Sequence, residues 1–249
     1  MKKLFDKNEI TFAVVMIVVY VVGMSIMNSI SETLGLKYLA ECFLCIILTA
    51  VFLLFIRKNG LTEYYGLCMP KVTAAQTLYY IPMLLIPFMP LMCGAGLEYS
   101  VAETFTHSVS MLFVGFLEEV IFRGFLFRAM AKSSEKRAVI VTALTFAFGH
   151  IVNLLNGYEI FDSITQISYA VAVGFMLVFV LIRTGSLVPC IIFHSLNNIL
   201  TAFSSGKFLA NLTGSEQTAE IIMLAVMMAT ALGYTVFIMK KLPKKELES

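Results

Sequence analysis

The chain has 249 residues, of which 59% are hydrophobic and 14% are charged, and its mean hydropathy is +0.88. Soluble proteins are about 45–50% apolar and about 25% charged, so this composition excludes an ordinary soluble domain and indicates an integral membrane protein. The net charge of +2 gives no reason to expect a nucleic-acid partner. Because no extended polar region interrupts the chain, we predict a single membrane domain over residues 1–249.

Hydropathy predicts an all-α polytopic bundle of about eight transmembrane helices. The predicted spans are Ile10–Met27, Tyr38–Ile56, Val72–Leu97, Thr104–Ala131, Ala138–Gly157, Ser163–Ile182, Ser186–Phe203 and Ile221–Met239. The first span has no small-residue cleavage site at its end, which favours a retained signal-anchor helix over a removed signal peptide. Pro82, Pro87 and Pro90 predict a kink in the third span.

The basic residues predict the orientation of the bundle. A cytoplasmic N-terminus places 15 of the 18 Lys and Arg residues on the inner face: Lys2, Lys3, Lys7, Arg57, Lys58, Lys71, Arg128, Lys132, Lys136, Arg137, Arg183, Lys240, Lys241, Lys244 and Lys245. Arg123 lies within the membrane, and Lys37 and Lys207 lie outside. The positive-inside rule therefore predicts that both termini are cytoplasmic. We expect the plasma membrane if the chain is bacterial, and the endoplasmic reticulum membrane if it is eukaryotic.

The fourth span contains three ionisable groups within six positions: Glu118, Glu119 and Arg123. Each costs roughly 2.5–3.5 kcal/mol at the centre of a membrane helix, so such groups are rare unless they serve a function. Glu119 and Arg123 are four residues apart and can neutralise each other on one helix face. This pairing leaves Glu118 without an assigned cation.

Other polar groups lie at a similar depth to Glu118. The separations are 10 residues from Glu118 to Arg128, 13 from His150 to Arg137 and 11 from His194 to Arg183. At about 1.5 Å per residue, all three groups lie roughly 15–20 Å from their cytoplasmic anchors. Asn198 shares a helix face with His194. The pattern predicts a polar chamber within the membrane in which a water molecule can be activated.

The residues leave the chemistry of this chamber open. Glu118, His150 and His194 form a set that can hold a divalent metal such as zinc, and Glu118 can equally act without one. His107 has no partner at its depth and is expected to be a packing residue. The pair Cys42 and Cys45 is also expected to pack, because no second cysteine pair and no nearby histidine accompanies it.

Three motifs carry a family resemblance. Glu118-Glu119-x-x-x-Arg123, Phe146-x-x-x-His150 and His194-x-x-x-Asn198 follow one another on successive predicted spans. In this order they resemble the CPBP family of CAAX-processing and bacteriocin-processing intramembrane endopeptidases, which includes the type II CAAX prenyl proteases and the Abi proteins. The similarity covers about residues 104–203, so spans one to three and span eight lie outside it.

The resemblance implies a role for each motif residue. Glu118 and His150 would activate the attacking water, while His194 and Asn198 would stabilise the oxyanion of the tetrahedral intermediate. The remaining residues, Glu119, Arg123 and Phe146, would support the site. The expected partners are the bilayer and a hydrophobic or lipidated peptide.

We therefore expect an intramembrane endopeptidase whose chamber opens toward the cytoplasm or laterally into the bilayer. One alternative is a non-proteolytic family member that acts as a bacteriocin-immunity or scaffold protein. Another is a proton-coupled transporter, since buried Glu and His can relay protons. A transporter would need polar groups in the outer halves of spans four to seven, where the sequence offers His107, Asn153 and Asn156.

Overall fold

The computed structural model describes residues 1–70 and 72–245, and within them the regular structure is helical apart from an isolated β-bridge between Ala95 and Ser204. Seven long helices are labelled α1 (Glu9–Leu34), α2 (Leu39–Lys58), α3 (Val101–Glu118), α4 (Glu135–Gly149), α5 (Ile160–Thr184), α6 (Val188–Leu200) and α7 (Glu216–Lys241). Shorter helices include Lys2–Lys7, Phe127–Ala131, Val152–Leu155 and Lys207–Thr213. The predicted all-α class is confirmed.

Among the described residues, six helical segments are long and apolar enough to cross a membrane: Glu9–Leu34, Leu39–Lys58, Ala74–Cys93, Glu135–Leu155, Ile160–Thr184 and Glu216–Lys241. Val188–Phe203 is a shorter apolar helix at the predicted seventh span, and α3 coincides with much of the predicted fourth. The protein is a polytopic all-α membrane protein. The count of eight spans and the orientation remain predictions, and Lys71, counted among the inner basic residues, lies outside the described residues.

Two predicted boundaries change in the structure. The first helix continues to Leu34, through residues expected to form a polar loop, and ends where Gly35 adopts a left-handed conformation with φ 71°. The third span is interrupted as its prolines predicted, because proline lacks the N–H that a continuous α-helix needs. Its backbone tightens to a 3₁₀ helix at Leu78–Tyr80 and again at Ile86–Cys93.

The start of α3 is fixed by a reciprocal cap. The Ser100 hydroxyl accepts a hydrogen bond from the Glu103 backbone N–H at 3.3 Å, and the Glu103 carboxylate accepts one from the Ser100 N–H at 3.1 Å. This capping box satisfies two backbone donors that the first turn would leave unpaired. The helix that carries Glu118 therefore has a defined beginning at Val101.

Gly115 allows α3 and α6 to approach each other closely. A Cβ atom at Gly115 would lie 2.5 Å from the backbone nitrogen of Ser195 and 2.8 Å from its Cα, besides meeting its Oγ. Real Cβ atoms do not approach backbone atoms so closely, so any side chain would separate the helices. Gly115 lies three residues before Glu118 on α3, and Ser195 directly follows His194 on α6, so this close approach brings the two side chains' helices together beside the site.

Gly115→Ala is expected to destabilise the protein by about 1–3 kcal/mol, because the overpacked backbone of α6 cannot rotate away as a side chain would. It should also move His194 away from Glu118. Thermal unfolding in detergent measures the loss of stability. Gly233→Ala, in a helical position with open space around it, is the matched control and should be at least as stable as wild type, because alanine favours a helix by about 1 kcal/mol over glycine. Equal behaviour of the two variants would contradict the prediction.

Candidate active site

The segment Glu119–Leu126 is a π-helix inserted between α3 and the short helix Phe127–Ala131. At its end the Phe127 N–H bonds to the carbonyl of Phe122, five residues earlier. A π-helix is rare and commonly occurs at functional sites. Here it carries Glu119 and Arg123, and all eight of its residues are buried.

Glu119 and Arg123 form the predicted ion pair. Arg123 Nη1 lies 3.0 Å from Glu119 Oε1, and both side chains are 0% exposed. Arg123 Nη2 also reaches the carbonyl oxygen of Gly174 on α5 at 3.5 Å. The pair therefore neutralises its charge inside the protein and ties the π-helix to α5.

The two oxygens of Glu118 face different helices, and one of them is held by a hydrogen bond. The hydroxyl of Tyr20 on α1 donates a hydrogen bond to Glu118 Oε1 at 2.7 Å. Glu118 Oε2 lies 3.4 Å from His194 Nε2, and it has no hydrogen-bond partner among the described residues. The carboxylate is thus oriented by Tyr20, and its second oxygen remains available for chemistry.

His194 lies between the two glutamates. Its Nδ1 is 2.8 Å from Glu119 Oε1, and its Nε2 faces Glu118 Oε2. A neutral imidazole has one N–H and one lone pair, so one of these contacts would set a lone pair against a carboxylate oxygen. One additional proton, on His194 or on Glu118, removes this repulsion. The arrangement is therefore suited to holding and transferring a proton.

The ring of Phe146 connects the remaining members of the site. The Arg123 guanidinium stacks on this ring with Cζ 4.2 Å from the centroid. The rings of His150 and His194 each meet it edge-on at 5.5 Å. Phe146 thus fixes the positions of both histidines relative to Arg123.

Asn198 lies one turn beyond His194 on α6. Its Oδ1 accepts a hydrogen bond from Asn197 Nδ2 at 3.4 Å, which leaves the Asn198 amide nitrogen as a donor. Asn198 lines two cavities, and His150 lines both as well. The structure therefore brings all seven predicted site residues into one region contributed by α3, the π-helix, α4 and α6.

The first cavity, of about 340 Å³, leads to Glu118. Along α3 it is lined by His107, Met111, Val114 and Glu118, which form one helical stripe. Its lining contains no Lys or Arg among the described residues, and Tyr158, 48% exposed, marks where it reaches the surface.

The second cavity, of about 760 Å³, reaches the same residues from another side. Its walls include His194 and Asn197 together with apolar side chains such as Pro87, Met223 and Met227. The two cavities share five residues: Phe146, His150, Gln166, Asn198 and Thr201. The polar cluster therefore lies where two cavities adjoin, and both cavities have polar and apolar side chains in their walls.

Both cavities lie toward the helix ends that are remote from the chain termini. On α1 the first cavity is lined from Tyr20 to Asn28, the half that follows the midpoint. On α7 the second is lined from Glu216 to Met227, the half that precedes the C-terminal lysines. If both termini are cytoplasmic, as predicted, these two cavities therefore do not open toward the cytoplasm, which was also predicted.

More polar side chains line the first cavity than the sequence analysis named. Asn28, Gln166 and Thr201 join Asn153 and Asn156 in its lining. Sequence inspection missed Asn28, Gln166 and Thr201 because they come from α1, from α5 and from the end of α6, which only the fold brings together. Phe122 lines the first cavity, but the buried residues that follow it in the π-helix, toward the other membrane face, line neither cavity.

The predicted metal ligands are Glu118, His150 and His194. Among residues 1–70 and 72–245, no group of three His, Cys, Asp or Glu side chains is arranged to hold a metal ion. The nitrogens of His194 face the two glutamates instead. A metal held by Glu118, His150 and His194 therefore stays a prediction.

His107 and the cysteine pair occupy packed positions. His107 is 3% exposed and meets the rings of Tyr38 and Tyr99, with its Nε2 3.4 Å from the Thr201 hydroxyl. Partners that the sequence did not reveal thus surround it. Cys45 is buried and Cys42 is partly buried, and both are free thiols.

Tyr20 is the functional candidate that sequence inspection missed. It lies near the middle of the first predicted span, whereas membrane tyrosines are enriched at the interfaces. A hydroxyl at such depth needs a hydrogen-bond partner. This position was the available signal, but the sequence could not name Glu118 as the partner.

The motif residues fall within a recognised family segment. Residues 100–200 match the family model described as Rce1-like, type II CAAX prenyl endopeptidase Rce1-like. These residues form an Rce1-like domain. The resemblance to CAAX-processing endopeptidases is thereby confirmed, and no curated protein matches the chain. Tyr20 on α1, like α2 and α7, lies outside the matched segment.

Proposed function

We propose that this Rce1-like protein is an intramembrane endopeptidase in which Glu118 is the general base. The observation that carries the proposal is the position of the Glu118 carboxylate: it borders a cavity, one oxygen is held by Tyr20, and the other is free of hydrogen bonds among the described residues. Membership in an endopeptidase family supports hydrolysis as the reaction.

The reaction begins with a water molecule between Glu118 and His150, which line the same cavity. Glu118 takes a proton from the water, and the water oxygen forms a bond to the scissile carbonyl carbon. The carbonyl oxygen becomes an oxyanion, to which the amide nitrogen of Asn198 donates. When His194 carries the additional proton, its Nδ1–H donates to Glu119. Its Nε2–H, which lies only loosely against Glu118 at 3.4 Å, can then donate to the same oxyanion.

The intermediate then breaks its carbon–nitrogen bond. The proton held by Glu118 passes to the departing nitrogen, so the products are a carboxylic acid and an amine. Glu119 and Arg123 support the step by holding His194 through the 2.8 Å contact to Nδ1. No charge has to enter or leave the buried cluster during the cycle.

The proposed substrate is a membrane-associated peptide with a hydrophobic or lipidated end. The second cavity supplies apolar walls next to the reacting groups, including flexible methionines that accommodate varied shapes. The first cavity supplies hydrogen-bonding side chains, such as Asn28, Asn153 and Asn156, for the rest of the peptide. Comparative peptidomics of membranes that carry wild type or Glu118→Gln tests this directly. Peptides that accumulate uncut only with the variant would identify the substrate, and identical peptide sets would contradict the proposal.

We further propose that the site opens on the non-cytoplasmic side. The positive-inside rule places both termini inside, and the two cavities face the opposite helix ends. We therefore retain the predicted topology and replace the predicted cytoplasmic opening. In a bacterial plasma membrane this arrangement favours substrates presented at the outer surface or within the outer leaflet.

The side of access is measured with a pair of cysteine variants in a background without the five natural cysteines. Lys207→Cys lies at the second cavity, and Lys136→Cys lies at the opposite end of the bundle; both residues are exposed. A membrane-impermeant maleimide added to intact cells should label Lys207→Cys and should label Lys136→Cys only after lysis. The reverse pattern would place the cavities on the cytoplasmic side.

A further inference from the structure

Tyr20 contacts the site although it lies outside the matched segment and is not one of the predicted site residues. Its side chain is 5% exposed, and its hydroxyl lies 2.7 Å from Glu118 Oε1. The two residues are 98 positions apart in sequence. Such a buried hydrogen bond to a carboxylate is short and is stronger than one between neutral groups.

Tyr20 is itself held rigidly. It follows Phe12 and Met16 at four-residue intervals on α1, and all three are buried in one apolar cluster with Phe125 of the π-helix. The rings of Phe12 and Phe125 meet edge-on at 5.0 Å. The phenol of Tyr20 therefore approaches Glu118 from a packed helix face with little freedom to move.

The two glutamates are oriented by different means. Glu119 is fixed by Arg123 and by His194 Nδ1. Glu118 has no such cation, and the contact to His194 Nε2 is too long for a firm hydrogen bond. Tyr20 therefore provides the firm contact that sets the plane of the Glu118 carboxylate among the described residues.

We propose that Tyr20 is a positioning residue: its hydrogen bond occupies Glu118 Oε1 and so directs Oε2 toward the water and His194. The inference rests on the proposed function of Glu118 as general base. It assigns to α1, outside the Rce1-like segment, a part in the chemistry. Without the phenol hydroxyl, the carboxylate can rotate, and the geometry between Oε2 and the water is lost.

Tyr20→Phe removes only the hydroxyl and keeps the packed ring. We expect kcat to fall by about 10–100-fold, the usual cost of losing a group that orients a reacting one, with KM unchanged. Tyr234→Phe is the matched control, because Tyr234 is buried on α7 and its hydroxyl has no hydrogen-bond partner in the described part of the chain. It should retain wild-type kcat and KM.

A spectroscopic measurement separates this proposal from the proposed function. The infrared carboxyl bands of Tyr20→Phe should shift relative to wild type, and the shift should be absent in Tyr234→Phe. It should also be absent when Tyr20→Phe is compared with its parent in a Glu118→Gln background. Absence of the shift in the first comparison, or its persistence without Glu118, would overturn the role of Tyr20.

The kinetic outcomes separate as well. Suppose that wild type cleaves its substrate and Glu118→Gln does not. A wild-type kcat in Tyr20→Phe would then overturn the positioning role of Tyr20 and leave the proposed function intact. A change in Tyr20→Phe that affects only KM or only thermal stability would have the same consequence. If Glu118→Gln remains active, the proposed function fails, and the infrared comparison still decides whether Tyr20 orients the carboxylate.

Discussion

Glu118→Gln is expected to lower peptide hydrolysis by about 10²–10⁴-fold, the contribution of a positioned general base. The substitution keeps the size of the side chain, and the amide oxygen can still accept the hydrogen bond from Tyr20. It removes the carboxylate oxygen that faces His194 and the cavity. The variant should therefore fold, insert and bind substrate while failing to activate water.

The measurement is the rate of cleavage of an identified peptide by purified protein. Glu63→Gln, the same change at an exposed residue, should cleave at the wild-type rate. The same assay is repeated after exhaustive chelation and again after zinc addition. Among the described residues, no group of three His, Cys, Asp or Glu side chains is arranged to hold a metal ion. Hydrolysis should persist after chelation. Loss of activity that zinc restores would favour the metal-dependent mechanism that the sequence left open.

The sequence predicted the fold class and the convergence of the motif residues for a physical reason. Apolar runs of span length define membrane helices with little dependence on tertiary context. The spacing of four residues between Glu119 and Arg123 predicts their ion pair, and the structure confirms it at 3.0 Å. Depth counted from the basic helix ends placed His150 and His194 beside the glutamates.

Other features depend on packing and could not be predicted. Hydropathy does not distinguish a π-helix from an α-helix, so the insertion at Glu119–Leu126 was not expected. The position of His194 between two carboxylates requires the close approach at Gly115. The side of the bundle on which the cavities lie also depends on how the helices pack, which the sequence does not show.

Arg123→Met is expected to destabilise the protein by about 3–5 kcal/mol, because it leaves the Glu119 carboxylate fully buried without its cation. Methionine can fill much of the space of the arginine stem but cannot pair with Glu119 or donate to the carbonyl of Gly174. His194 then remains as the sole charged or polar partner of Glu119 among the described contacts. Unfolding by SDS in mixed micelles measures the loss.

A double-mutant cycle shows whether the effect comes from the unpaired charge. Glu119→Gln removes the negative charge while its amide oxygen still accepts from His194, so Glu119→Gln with Arg123→Met should recover more than half of the stability lost in Arg123→Met. Arg57→Met, at an exposed arginine, should unfold like wild type. Additive losses in the double variant would show that Arg123 stabilises the protein through packing on Phe146, whose ring lies 4.2 Å from its guanidinium, instead of through its charge.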